Sequence, residues 1–207
     1  MNKKQIAKLL IAHGCLQLNP KEPFTYASGL KGPLYCDNRQ ILSIPAGRKI
    51  IIEHFLKVIG EDHLTFDHLA GLATGGIPHA AILADRLNAS LIYIRAQLKS
   101  HGRQNQIEGK TKAGDKILLV EDLVNQGSSL NAAIEAARAA QLKMDACLCI
   151  VDYQMAKARD VLTEKNIQLY SLTDFSTILQ VAQEDGVLSS QEISLVQQWH
   201  RDPTHWQ

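Results

Sequence analysis

The 207-residue chain has no apolar run near the roughly 20 residues that a membrane-spanning helix needs. It also has almost no net charge. Lys and Arg number 22 and Asp and Glu 21, leaving +1, which argues against a broad nucleic-acid footprint while permitting a local basic loop. Lys8 and His13 interrupt any signal-peptide core behind Lys3 and Lys4, so the expected location is cytoplasmic. Cysteine is scarce. Cys15, Cys36, Cys147 and Cys149 match no zinc spacing, and a chain of this length needs no disulfides. Cys147 and Cys149 stand two apart in an apolar run, so on a strand they share one face and read as small buried hydrophobes. His63, His68, His200 and His205 show no ligand spacing, and no metal-ligating residue is assigned. Internal repeats and low-complexity tracts are missing too. What remains, 45% apolar and 21% charged, is ordinary globular composition with enough chain for one sizeable core.

Apolar periodicity then sets the architecture. A helix is expected over residues 2–13, ending at Gly14, and another from Pro45 to a stop at Gly60. Between them, residues 20–40 are rich in Pro, Gly and aromatics and read as a small irregular or β-hairpin lobe. Short buried strands are expected at 68–73, 91–94, 116–120, 146–151 and 167–172. Helices are expected at 78–87, 129–140, 155–164, 175–184 and 190–199. Alternation of this kind means an α/β fold, a central mostly parallel sheet with helices on both faces.

The stretch Lys116-Ile-Leu-Leu-Val-Glu-Asp-Leu-Val-Asn-Gln-Gly-Ser-Ser-Leu130 carries the most chemistry. An apolar strand ends in Glu121 and Asp122, a polar loop from Asn125 to Ser129 follows, and an alanine-rich helix begins. The first N–H groups of a helix lack partners and its dipole is positive there, so such a loop binds anions. Two carboxylates beside an anion site suit a sugar phosphate. Ala73-Thr74-Gly75-Gly76-Ile77-Pro78 reads either as a plain strand-to-helix turn or as a place where backbone closely approaches a diphosphate. From Arg95 to Gly114 runs a long polar connection holding Arg95, Lys99 and His101 and almost no core material. It reads as a solvated basic loop or a cationic lid over a polyanion. Ligands in such folds bind outside the carboxyl ends of the strands, so the Gly75-Gly76 turn and the 121–129 loop are expected to meet at one crevice.

Taken in order, these segments resemble the orotate phosphoribosyltransferases, and the likeness runs nearly the whole chain. Phe24-Thr-Tyr-Ala-Ser-Gly29 and Gly32-Pro-Leu-Tyr-Cys-Asp-Asn-Arg39 are similar to that family's orotate-site segment. Gly71-Leu-Ala-Thr-Gly-Gly-Ile-Pro78 resembles its diphosphate turn. Arg95, Lys99, His101-Gly102 and Asn105-Gln-Ile-Glu-Gly109 resemble its mobile loop, and Leu119-Val-Glu-Asp122 with Gly127 to Ser129 its ribose-phosphate loop. The resemblance implies a type I phosphoribosyltransferase fold as one domain over 1–207, with residues 1–40 forming a small N-terminal hood. It implies conversion of orotate and 5-phosphoribosyl 1-diphosphate to orotidine 5′-phosphate and diphosphate in pyrimidine synthesis, with Mg²⁺ bound mainly through the phosphoribosyl diphosphate. Lys99, His101 and Asp122 would be catalytic. Thr74, Gly75, Arg95, Lys99, His101, Glu121, Asp122, Asn125, Gln126, Gly127, Ser128 and Ser129 would bind the phosphoribosyl diphosphate, and Tyr35, Cys36 and Asn125 the orotate. A homodimer sharing the mobile loop between subunits is implied, with no nucleic-acid or membrane partner.

The chain departs from the family pattern at Asn125-Gln126-Gly127-Ser128, where threonine and glycine are usual. Ser128 is expected to put a Cβ where glycine would tolerate positive φ. Ala96 and Gln97 fill the places of a second lid lysine, and no carboxylate-binding arginine is evident around Asp152-Tyr153. Three functions are therefore open: the active transferase, a non-catalytic or weakly active regulatory homologue that binds the same ligands, and a phosphoribosyltransferase for another base, against which the 24–39 segment argues.

Overall fold

The computed structural model describes residues 2–26, 29–95 and 106–206. Helix α1 (Lys3–Ala12) opens on Asn2, whose side chain accepts the Gln5 N–H, and its Ile6, Ala7 and Leu10 are wholly buried. The hood follows as four short strands. β1 (Leu16–Leu18), β2 (Phe24–Thr25), β3 (Lys31–Gly32) and β4 (Leu34–Cys36) pair antiparallel as β1 with β4 and β2 with β3. Gly32 is required there, because a Cβ would sit 2.1 Å from the Tyr26 hydroxyl oxygen. A 3-10 turn (Asn38–Ser43) leads into α2 (Pro45–Glu61), with Pro45 at its first turn where no N–H is needed. Gly60 lies inside this helix rather than ending it; the helix runs one residue further.

The alternating region then unfolds as expected. β5 (His68–Leu72), α3 (Gly76–Leu87), β6 (Ser90–Ile94), β7 (Ile107–Glu108), β8 (Ile117–Val124), α4 (Ser128–Ala139), β9 (Ala146–Asp152), α5 (Ala156–Glu164) and β10 (Gln168–Asp174) follow in order. Helices α6 (Phe175–Glu184) and α7 (Ser190–Arg201) come last. The sheet order is β10-β9-β8-β5-β6-β7, parallel throughout except that β7 runs antiparallel to β6. One core layer packs α1, α2, α3, α6 and α7 on one face. A second, around Leu130, Ile134 and Ala158, packs α4 and α5 on the other. Central strands buried on both faces explain the near-continuous apolar runs in β8 and β9.

Two elements differ from the sequence expectation. β8 does not stop at Val120 but continues through the acids to Val124, because Leu123 and Val124 still pair with Val151 and Asp152 on β9. The polar 95–114 connection contains β7, whose Ile107 is only 4% exposed and belongs to the second core. Two residues are too few to show a strand period. Among the described residues no helix is long and apolar enough to cross a membrane.

The first helix is joined to the end of β10 and to α6. Lys3 reaches Asp174 (2.5 Å), Lys4 reaches Glu184 (2.8 Å) and Lys8 reaches Asp185 (2.7 Å). The Lys4 and Lys8 pairs are exposed and add little, while Asp174 is buried; the burial of Ile6 and Leu10 does more to hold α1 against α6.

Candidate active site

A cavity of about 520 Å³ opens at the carboxyl ends of β5 and β8. Its walls come from four places. Glu121 and Asp122 project from β8, and Ala73, Thr74 and Gly75 form the turn into α3. Asn125, Gln126, Gly127, Ser128 and Ser129 form the loop into α4, and Cys36, Asp37 and Arg39 come from the hood. The crevice expected from the strand ends is therefore there, and both loops line it.

Each wall has a local reason. The Ala73–Thr74 peptide bond is cis. Gly76 lets α3 touch the sheet, since a Cβ would lie 2.1 Å from the Val120 carbonyl oxygen. Gly75 leaves room for the acid opposite: a Cβ would lie 2.3 Å from Asp122 Cγ and Oδ1. The glycine pair thus has a first explanation within the protein. At the other loop, Gly127 takes the left-handed conformation (φ +80°) as N-cap of α4, and among the described residues no side chain caps that helix. Its first N–H groups, at Ser128 to Leu130, therefore stand at the cavity wall as donors for an anion. Ser128 begins the helix, so the positive φ expected at that residue belongs to Gly127 instead.

The acids are not equivalent. Glu121 is 7% exposed, and its Oε1 accepts the Asp122 N–H at 2.9 Å. Burial first, and then the neighbouring Asp122 carboxyl, hold the Glu121 carboxyl well above the usual carboxylate range. Beneath it, on β9, burial keeps the Cys147 and Cys149 thiols protonated and unreactive. Asn38, 1% exposed in the 3-10 turn, donates Nδ2–H to the Asp122 carbonyl oxygen at 2.7 Å, tying the hood to the acid strand. Arg39 brings a cation to the rim, held by Asp37 (Nε to Oδ1, 2.6 Å). Asp37, Asn38 and Arg39 close the segment that resembles the orotate site, though the sequence assigned none of them a role of its own. Their signal was their place in the hood segment just after Cys36.

Other expected site residues lie elsewhere. Tyr35 is off the cavity wall, 38% exposed with its ring 5.6 Å from that of Phe24. It neighbours Cys36 on β4, and adjacent strand residues point to opposite faces. Arg95 sits after β6 with its guanidinium 3.6 Å from Glu108, also off the wall. Lys99 and His101 lie outside the described residues. A second cavity of about 520 Å³ shares Asn125 and Gln126 and is otherwise walled by the hood, α5 and the end of α7, including Tyr26, Met155 and Trp199.

The phosphoribosyl transferase domain family matches residues 37–180. The chain is 45% identical over 203 residues to the orotate phosphoribosyltransferase of Coxiella burnetii, covering 98% of this chain and 97% of that one. It is 41% identical over 201 residues to the orotate phosphoribosyltransferase of Bacillus cytotoxicus, covering 97% and 96%. Among solved structures, it superposes on orotate phosphoribosyltransferase from Aeropyrum pernix with a TM-score of 0.71 at 28% identity, covering 84% and 97%. It superposes on UMP synthase of Leishmania donovani with a TM-score of 0.81 at 26% identity, covering 97% of this chain and 42% of that longer one.

Proposed function

The chain belongs to the orotate phosphoribosyltransferase family, and from that membership we propose how the crevice performs the transfer. The reaction moves the 5-phosphoribosyl group of 5-phosphoribosyl 1-diphosphate to orotate, releasing diphosphate and giving orotidine 5′-phosphate. The observation that carries the reading is one juxtaposition. A pair of strand-borne acids lies between an uncapped helix N-terminus and a glycine turn, around one cavity.

The 5′-phosphate sits at Gly127, Ser128 and Ser129, on the first N–H groups of α4, with Asn125 and Gln126 alongside. Glu121 and Asp122 take the ribose hydroxyls. Thr74 and Gly75 face the diphosphate across the cavity. Orotate lies toward the hood, near Cys36 and Asn125, and its ring nitrogen attacks the anomeric carbon as diphosphate leaves. The chain performs no covalent step of its own; it positions the partners and stabilises the charge of an oxocarbenium-like transition state. Lys99 and His101, with Arg95 at the base of their loop, neutralise the departing diphosphate.

Among the described residues no three His, Cys, Asp or Glu side chains gather to hold a metal ion by themselves. A Mg²⁺ carried on the substrate's diphosphate needs only one or two carboxylates, often through water, and the acids lining the crevice are oxygen donors that fit it. When bound, that ion neutralises diphosphate charge. We further propose a single domain whose residues 1–40 act as the hood, a homodimer sharing the 95–109 loop, and work in the cytoplasm. The second reading, a regulatory homologue, draws on Asn125 and Gln126 in the phosphate loop.

Purified protein mixed with orotate, phosphoribosyl diphosphate and Mg²⁺ tests this directly. Loss of orotate ultraviolet absorbance that needs all three components supports the transferase. Folded protein that binds phosphoribosyl diphosphate and leaves orotate untouched would establish the regulatory homologue instead.

A further inference from the structure

One side chain near the crevice has no packing reason to be what it is. His79, on α3, is 0% exposed, and among the described residues neither of its ring nitrogens has a hydrogen-bond partner. A neutral imidazole carries one donor and one acceptor. Leaving both unmet in a buried site is rare, because each is desolvated without return. An apolar side chain of similar volume would fill the space without that cost.

Its position supplies a reason. Gly75 already has helical backbone angles (φ −70°, ψ −31°), and His79 follows four residues later, so the two share one face of the helix start. The Asp122 carboxyl lies against that face, where a Gly75 Cβ would meet it at 2.3 Å. Burial holds the imidazole pKa down to about 4, and the charge of Asp122 acts on the ring in the opposite sense. On the hood side, Asn38 bonds the Asp122 carbonyl and keeps its own Oδ1 buried and unpartnered. The acid is thus bordered by two buried polar side chains with hydrogen-bonding capacity in reserve.

We propose that His79 is a positioning residue for Asp122: in the substrate-bound crevice its ring N–H bonds the Asp122 carboxylate and fixes the rotamer that meets the ribose hydroxyls. This rests on the reading of Asp122 as a ribose-binding acid. The ring contributes a dipolar donor rather than a second charge, so it restrains the acid without competing for the substrate's phosphates. It touches no substrate. It acts from the helix face that Gly75 and His79 share, one turn into α3.

The test compares His79→Leu, His79→Gln, Asp122→Asn and the double variant His79→Leu/Asp122→Asn by steady-state kinetics and thermal melting. His79→Leu should melt at or above the wild-type temperature yet lose about 10- to 100-fold in kcat, the scale set by small misplacements at a reacting centre. His79→Gln, which keeps an N–H donor, should recover part of that loss. The double variant should turn over no more slowly than Asp122→Asn alone. Wild-type kcat in His79→Leu, beside a crippled Asp122→Asn, overturns the role of His79 and leaves the reading of Asp122 standing. Full turnover by Asp122→Asn overturns both. Should His79→Leu not fold, ¹⁵N-histidine spectra of otherwise wild-type protein decide, with the His79 signals assigned by their absence from His79→Gln. The protonated ring nitrogen should shift when phosphoribosyl diphosphate binds, and Asp122→Asn should abolish that shift. A His79 signal indifferent to both overturns the proposal.

Discussion

Replacing Gly76 with alanine should harm activity far more than stability. Its Cβ would be built 2.1 Å from the Val120 carbonyl oxygen and 3.0 Å from the carbonyl carbon. Real Cβ atoms essentially never come within 3.0 Å of such neighbours, and these belong to the backbone of a central strand that cannot turn aside. The start of α3 must therefore retreat by about an ångström. Overpacking of this kind costs about 1–3 kcal/mol. Alanine's better helix propensity returns about 1 kcal/mol of it, leaving a net loss of about 0–2 kcal/mol. The retreat carries the Thr74–Gly75 turn away from Asp122, and a 1 Å misplacement can cost about 100-fold in rate. Urea unfolding gives the first number and initial rates of orotate consumption the second. Gly75→Ala is the companion: its Cβ meets the end of the Asp122 side chain, which can rotate, so stability should stay within about 0.5 kcal/mol of wild type. The reasoning fails if Gly76→Ala unfolds and turns over like wild type, or if Gly75→Ala destabilises more than Gly76→Ala.

Gly127→Ala forces an L side chain to φ +80° and puts its Cβ 2.9 Å from Ala158 Cα. It should lose about 1–3 kcal/mol and bind phosphoribosyl diphosphate at least about tenfold more weakly by calorimetry, since 1.4 kcal/mol of misplaced phosphate contacts is already tenfold. His79 has a folded pKa of about 4 against 6.5 unfolded, so the unfolded chain binds more protons between those values. Its contribution to stability is full above pH 6.5 and fades as pH falls toward 4, by at most about 3 kcal/mol. The difference in urea midpoint between wild type and His79→Leu should follow that course, and a pH-independent difference would contradict it. Glu121 has the opposite sign. Its raised folded pKa makes the native state bind the extra proton, so stability is full below its unfolded value of 4.5 and is lost as pH rises above it. Glu121→Gln, which mimics the protonated acid, should gain on wild type progressively from pH 5 to 8 in the same assay, taken at about one-unit steps.

The alternation of strands and helices was legible because buried parallel strands are continuous apolar runs bounded by glycine and polar turns. The crevice was legible because ligands gather at strand carboxyl ends, and the Gly75 turn and the Gly127 loop both follow such ends. What was hidden had no period to reveal it. β7 is two residues long. The acids lie within β8 because partners on β9 continue past Val120, which a single strand's sequence does not show. Tyr35 and Cys36 read as one motif, yet β4 alternation separates their directions, and only Cys36 lines the cavity. Positive φ fell one residue before the position assigned to it, at Gly127 rather than Ser128. The link of His79 and Asn38 to Asp122 was hidden for a different reason. Only the folded arrangement brings α3 and the 3-10 turn to the two sides of that acid.

The docking of α1 on α6 fixes when the protein can finish folding during its synthesis. The pairs Lys3–Asp174 and Lys4–Glu184 join residues 171 and 180 positions apart. At about 5–20 residues per second, the first helix waits roughly 9–36 s on the ribosome before its partner has been made. Ile6, Ala7 and Leu10, all wholly buried in the finished protein, have no α6 to pack on through that interval. The first segment synthesised is thus among the last to be enclosed, and an unfinished chain displays the apolar signal that chaperones bind.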